Sequence, residues 1–177
     1  MSETINHSRI DRGAPAATSV PEQLDELLAL PAHTLAQLYA DATVPRLDAV
    51  RGDLRGRMLA TVVLPPAAAR WARALASTSW FPWRGKSFSP RDDQHGEGIN
   101  RVLVDRLRLY RFETSIGPSR AGDFDALQLD YDLPENPFFI RPIEDELRQL
   151  RDGLYLGQAY LRLRGTASLV LYFGLSR

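Results

Sequence analysis

The chain has 177 residues, 44% hydrophobic and 25% charged, the composition of an ordinary globular protein able to build a sizeable core. Its 22 basic and 22 acidic residues balance to a formal net charge of zero, so its charge gives no reason to expect nucleic acid or an anionic membrane surface as partner. It has no cysteine, which excludes disulfides, zinc–thiolate sites, iron–sulfur clusters and a cysteine nucleophile.

Met1–Val20 is polar and rich in small residues, and is expected to be a disordered tail without the apolar run of a secretory signal. No apolar stretch approaches the roughly 20 residues that span a bilayer. A soluble cytoplasmic protein is therefore the expectation, with residues 21–177 as one domain. Pro21 suits the first turn of a helix whose apolar face is Leu24, Leu27 and Leu28. Pro31 ends it and starts a second helix with Leu35, Leu38 and Tyr39 as its stripe. Neither short helix is stable alone, so the pair reads as a brace or lid on something larger.

Gly52–Leu64 changes to a strand pattern, with Gly52 and Gly56 where it bends or meets another element closely. Ala67–Ser77 reads as a helix with Trp71, Ala74 and Leu75 on one face. Trp80–Phe88 is densely aromatic and leads into a strand from Trp83. Pro90–Gly98 is a polar turn region holding His95. Gly98–Val104 and Arg106–Thr114 follow as strands, the second with Leu107, Leu109, Arg111 and Glu113 on one face and Arg108, Tyr110, Phe112 and Thr114 on the other. Ala126–Leu133 alternates cleanly as a half-buried strand. Pro142–Leu150 is expected to be a short helix, with Pro142 in its first turn and Ile143, Leu147 and Leu150 as its stripe.

The last stretch organises the rest. Leu154, Leu156, Gln158, Tyr160 and Arg162 point one way, and Tyr155, Gly157, Ala159, Leu161 and Leu163 the other. Arg164-Gly165-Thr166 turns the chain, and Leu169–Leu175 returns as an almost wholly apolar strand. Such a hairpin must be covered on both faces or close a barrel, because its edges otherwise invite aggregation. Short turns and few crossovers make an antiparallel β-barrel with short helices the expected fold, mainly β within the α+β class.

Gly52-x-Leu54-x-Gly56 on a first strand, successive antiparallel strands, a late short helix and a final hairpin resemble the calycin group of lipocalins and fatty-acid-binding-like barrels. Leu54 stands where the lipocalin first strand has tryptophan. The resemblance implies a barrel that binds a small apolar or amphipathic molecule, or in some members a cofactor-free cyclase or isomerase. Haem-binding nitrobindin-like proteins share this barrel class and hold haem through a late histidine. Here the histidines are His7, His33 and His95, so no haem, and no other cofactor, is expected.

The candidate ligand-binding residues are Trp83, Lys86, Asn100, Tyr110, Arg111, Glu113, Tyr131, Gln158 and Tyr160. Lys86 is the sole lysine and lies among aromatics, either as an ammonium beside aromatic walls or as a surface residue above a core. An inward Arg111 would grip a carboxylate, whereas an outward one would pair with Glu113 on the surface. Asp130, Tyr131 and Asp132 either serve proton transfer or place Tyr131 in the core with the aspartates in water. Gln158 and Tyr160 share a face and would orient a ligand or pack in the core. Asn136, Arg141, Glu144, Asp145, Glu146 and Arg148 are read as structural residues of the late helix. His95 with Asp92, Asp93 and Glu97 is read as a solvated turn, and no metal site is expected. Three functions follow: a small-molecule-binding barrel, a cyclase or isomerase of secondary metabolism, or an interaction module whose N-terminal helices dock a partner or a second copy, giving a homodimer.

Overall fold

A computed structural model describes residues 19–62, 83–102 and 107–177. The expected tail up to residue 18 and the expected helix Ala67–Ser77, with Trp71 and Trp80, lie outside the described residues. Eight strands, β1 (Gly52–Thr61), β2 (Trp83–Pro90), β3 (His95–Val102), β4 (Leu107–Pro118), β5 (Asp125–Asp130), β6 (Ile143–Arg151), β7 (Leu154–Leu163) and β8 (Thr166–Ser176), form a closed antiparallel barrel in sequence order. β8 returns to β1, from Arg55 opposite Ser176 to Thr61 opposite Leu171. Closure satisfies every strand edge. The β7–β8 turn is made by Arg164 and Gly165, both at positive φ (51° and 83°), the conformation that matches the twist of a two-residue hairpin.

The closing hairpin is covered on both faces, as its composition demands. Inside the barrel, Leu54, Phe88, Phe112, Leu127, Leu129, Leu147, Tyr155, Phe173 and Leu175 form the main core. Leu47 and Val50 plug the end where β1 starts, and the Tyr155 hydroxyl and the Arg177 guanidinium each donate to the Ala49 carbonyl at 2.8 Å. Outside, a 3-10 helix (Leu24–Ala29) and helix α1 (Ala32–Asp41) bury Leu24, Leu27, Leu35, Leu38 and Tyr39 against Leu154, Leu156 and Tyr172. Leu28 falls off this stripe and is exposed, because the tighter 3-10 winding rotates it away.

One element differs in kind from the sequence expectation. Pro142–Leu150 is not a short late helix. It is strand β6, paired with β5 from Asp130 opposite Glu144 and with β7 from Ile143 opposite Leu161. Ile143, Leu147 and Leu150 do fall at helical spacing, but the inward row of the strand is Ile143, Asp145 and Leu147. Glu146 and Arg148 point outward and are still buried. Burial of charged groups on both faces erased the alternation that marks a strand. The turn before β3 is also shorter than expected, since His95 already begins the strand.

Candidate functional site

A cavity of about 180 Å3 lies inside the barrel at the end where β1 finishes and β2 begins, lined by residues that include Met58, Trp83, Tyr110, Phe139, Leu171 and Phe173. Met58 is 53% exposed, and Tyr110, Phe139 and Leu171 are half-buried, so the cavity reaches the surface at this end. Its walls are almost wholly apolar. Polar groups converge at its inner end, where Lys86, Asn100, Tyr131 and Asp145 meet.

Two irregularities in the sheet build this end. β2 is out of register with β3 between Trp83 and Gly85, and Gly85 has φ 135°. The slip lets Trp83 and Lys86, three positions apart, line the same cavity, which regular strand alternation forbids. A Cβ at Gly85 would stand 2.0 Å from the Leu54 carbonyl oxygen, so only glycine fits this crossing of β1 and β2. Opposite it, β4 carries an extra residue, Tyr110, at φ 62°, between Leu109 paired with Asn100 and Arg111 paired with Ile99. The bulge places the Tyr110 carbonyl where the Asn100 side-chain amide donates to it at 3.2 Å. A bulky residue at positive φ is costly, and such strain gathers at functional sites.

The Lys86 ammonium has three N–H donors, and each is used: Asn100 Oδ1 at 2.9 Å, Tyr131 Oη at 2.5 Å and Asp145 Oδ2 at 2.8 Å. Tyr131 Oη in turn donates to Asp145 Oδ2 at 3.1 Å and accepts from Asn100 Nδ2 at 3.1 Å, while Trp83 Nε1 donates to Asn100 Oδ1 at 3.1 Å. The rings of Trp83, Phe112, Tyr131 and Phe173 stand 5.2–5.6 Å from Nζ, completing an aromatic enclosure for the cation. Lys86 and Asp145 are both more than nine-tenths buried. Burial pulls the Lys86 ammonium below the usual lysine range, and the facing Asp145 carboxylate opposes that pull. Burial, and then the Asp145 charge, push the Tyr131 phenol well above its usual range, so it stays protonated as a donor. One atom of the cluster is left over: Asp145 Oδ1 is buried, with no hydrogen-bond partner among the described residues.

Of the residues selected from sequence, Trp83, Lys86, Asn100, Tyr110 and Tyr131 come together here. Lys86 is core, not surface, because its partners arrive from β3, β6 and the segment after β5. Tyr131 is buried, and Asp130 and Asp132 face water. Arg111 and Glu113 do not line the cavity. Both lie on the outer face of β4, and Arg111 pairs with Glu97 of β3 at 2.8 Å, the Tyr110 bulge having set the facing of this strand. Gln158 and Tyr160 are likewise outward on β7 and buried, with the Tyr160 hydroxyl donating to Gln158 Oε1 at 2.6 Å. From sequence alone Asp145 reads as a structural residue of a late helix. The signal that identifies it, a counter-charge for a buried lysine, is long-range. Among the described residues no group of three or more histidine, aspartate or glutamate side chains is placed to hold a metal ion, and no helix is long and apolar enough to cross a membrane.

A solved structure of a protein from Thermomonospora curvata is similar to this chain, with a TM-score of 0.50 and 20% identity, covering 84% of this chain and 88% of that one. This likeness shows a shared fold. No family model matches the chain, and no curated protein matches it.

Proposed function

We propose that this barrel binds a small apolar or amphipathic molecule, in the manner of calycin-like barrels. The observation that carries the reading is the form of the cavity: apolar walls reaching the surface at one end and a fixed cluster of Lys86, Asn100, Tyr131 and Asp145 at the other. Ligand sites have this composition, with broad apolar contact for affinity and a few placed polar groups for orientation. A volume of about 180 Å3 is slightly above that of an engineered protein cavity of ~150 Å3 that takes up benzene. The test is native mass spectrometry of the purified protein against its denatured mass, with saturable uptake of naphthalene followed by ligand-observed NMR. A retained small molecule or saturable uptake, lost when Ala159→Phe fills the cavity, is the expected result. A bare mass together with no uptake by the folded protein overturns the reading.

A second reading, a cofactor-free cyclase or isomerase, draws on the same cluster. Asp145 lines the cavity and keeps one carboxylate oxygen without a hydrogen-bond partner among the described residues, which makes it the candidate general base once a substrate uncovers that oxygen. Turnover of a retained molecule, abolished in a folded Asp145→Asn variant, would favour it over simple binding.

A further inference from the structure

We propose that the cavity selects a neutral molecule of one or two rings that presents a single hydrogen-bond donor, a phenol or alcohol, to Asp145 Oδ1, and that it discriminates against carboxylates. This inference rests on the binding reading and specifies its ligand.

The acceptor is identified by elimination within the cluster. Asp145 Oδ2 already receives Lys86 Nζ and Tyr131 Oη. Asn100 Oδ1 receives Lys86 Nζ and Trp83 Nε1. Tyr131 Oη both donates and accepts. Asp145 Oδ1 is left with two vacant lone pairs; the atom itself is covered, in a side chain that lines the cavity and is 4% exposed, so a ligand's donor reaches it by displacing the groups that cover it. A buried acceptor without a donor is destabilising, and a ligand that supplies the donor gains what the apo protein lacks.

The charges decide the rest. Lys86 is the one cation and Asp145 the one anion among the described residues that line the cavity, and they are spent on each other. All three ammonium protons are taken, so an entering carboxylate meets no free donor on Lys86 and meets the negative charge of Asp145. Arg111, the residue that would have gripped a carboxylate, is on the outer face with Glu97. A cationic ligand at Oδ1 would approach the Lys86 ammonium, bonded to the other oxygen of the same carboxylate. A neutral donor avoids both repulsions and uses the aromatic walls.

Three probes of matched size separate the cases at pH 7: 4-propylphenol, propylbenzene and 4-propylbenzoate, titrated calorimetrically into the full chain. Propylbenzene is the most apolar and would bind tightest if burial alone decided. The expected order is 4-propylphenol first, at least about tenfold tighter than propylbenzene, as a hydrogen bond to a charged acceptor supplies, with 4-propylbenzoate weakest. Propylbenzene equal to or tighter than the phenol overturns the donor assignment while leaving the binding reading intact. Tightest binding of the benzoate overturns the charge selection in the same way. No binding of any of the three overturns this inference, and the native mass with naphthalene uptake then decides whether the binding reading stands.

Discussion

Lys86 on β2 and Asp145 on β6 are 59 positions apart in sequence, lie on strands that do not pair, and meet inside the barrel at 2.8 Å. Each is the other's counter-charge, and both side chains are more than nine-tenths buried. The pair therefore ties the two sides of the barrel together, and removing one member has different consequences from removing both.

Asp145→Ala leaves the Lys86 ammonium buried among four aromatic rings without its anion. A loss of roughly 3–5 kcal/mol is expected, because breaking a buried pair strands a charge. Replacing both, Lys86→Met with Asp145→Leu, is expected to restore stability to within about 1–2 kcal/mol of the parent while abolishing donor-selective binding. Urea unfolding of the three proteins measures this. A single variant no less stable than the parent would show that the pair is not buried in solution.

The pH dependence follows from the phenols. Tyr39, Tyr131, Tyr155, Tyr160 and Tyr172 are all raised above the ordinary tyrosine value of 10.0, in each case chiefly by burial. Between the unfolded and the folded pKa the folded state holds the extra proton, so this contribution is full below about pH 10 and is lost as pH rises further. Lys86 acts with the opposite sign, since a lowered lysine makes the unfolded chain the better proton binder just below 10.5. Five phenols outweigh one ammonium, and the urea midpoint should fall from pH 9 to pH 11. Tyr160→Phe should make the fall shallower. A midpoint flat across this range contradicts the burial of these hydroxyls.

Arg111→Ala should leave affinity for any cavity ligand unchanged and shift stability by less than about 0.5 kcal/mol. The Arg111–Glu97 pair is on the surface and screened by water. A large loss of affinity measured by calorimetry would place this side chain inside after all.

Glu146 is fully buried on the outer face of β6 and accepts from the Tyr39 hydroxyl (3.2 Å), Ser119 Oγ (2.6 Å), the Arg120 backbone amide (3.0 Å) and Arg120 Nη1 (2.7 Å). It pins α1 and the β4–β5 connection to the barrel at one point. Glu146→Ala should cost roughly 2–4 kcal/mol, through donors left without an acceptor. Hydrogen exchange should quicken in both Ala32–Asp41 and the 119–124 connection. Glu146→Gln, which keeps one acceptor, should lose less. Exchange that quickens in only one of the two segments would show that they are not held in common.

Most of the barrel is legible in the sequence because most strands advertise themselves locally. Leu127, Leu129 and Tyr131 alternate against Gln128, Asp130 and Asp132, and the closing hairpin announces its turn with Arg164-Gly165. What the sequence hides is long-range. The run Ile143–Arg151 carries five charged side chains within nine residues, which reads as a solvated helix face until Lys86, Arg120 and α1 are found to enclose Asp145, Glu146 and Arg148. Asp145 is missed for the same reason. Lys86 does draw notice as the sole lysine among aromatics, but only its partners from elsewhere in the chain make it core. The facings of Arg111 and Glu113 depend on the single extra residue Tyr110, and no composition rule marks a bulge.

The order of the strands also governs how the barrel is assembled and undone. Seven of its eight ladders join strands adjacent in the chain, and the eighth, β1 with β8, joins segments more than a hundred residues apart. Closing so long a loop costs chain entropy that hairpins do not incur, so the β1–β8 seam should zip last on folding and part first on unfolding. The 3-10 helix lies across that seam: Leu24 sits over Gly174 of β8, and Asp25 reaches Arg57 of β1 at 3.5 Å. The N-terminal brace is then a latch, and loosening it should shorten the lifetime of the closed barrel far more than it slows the formation of its hairpins.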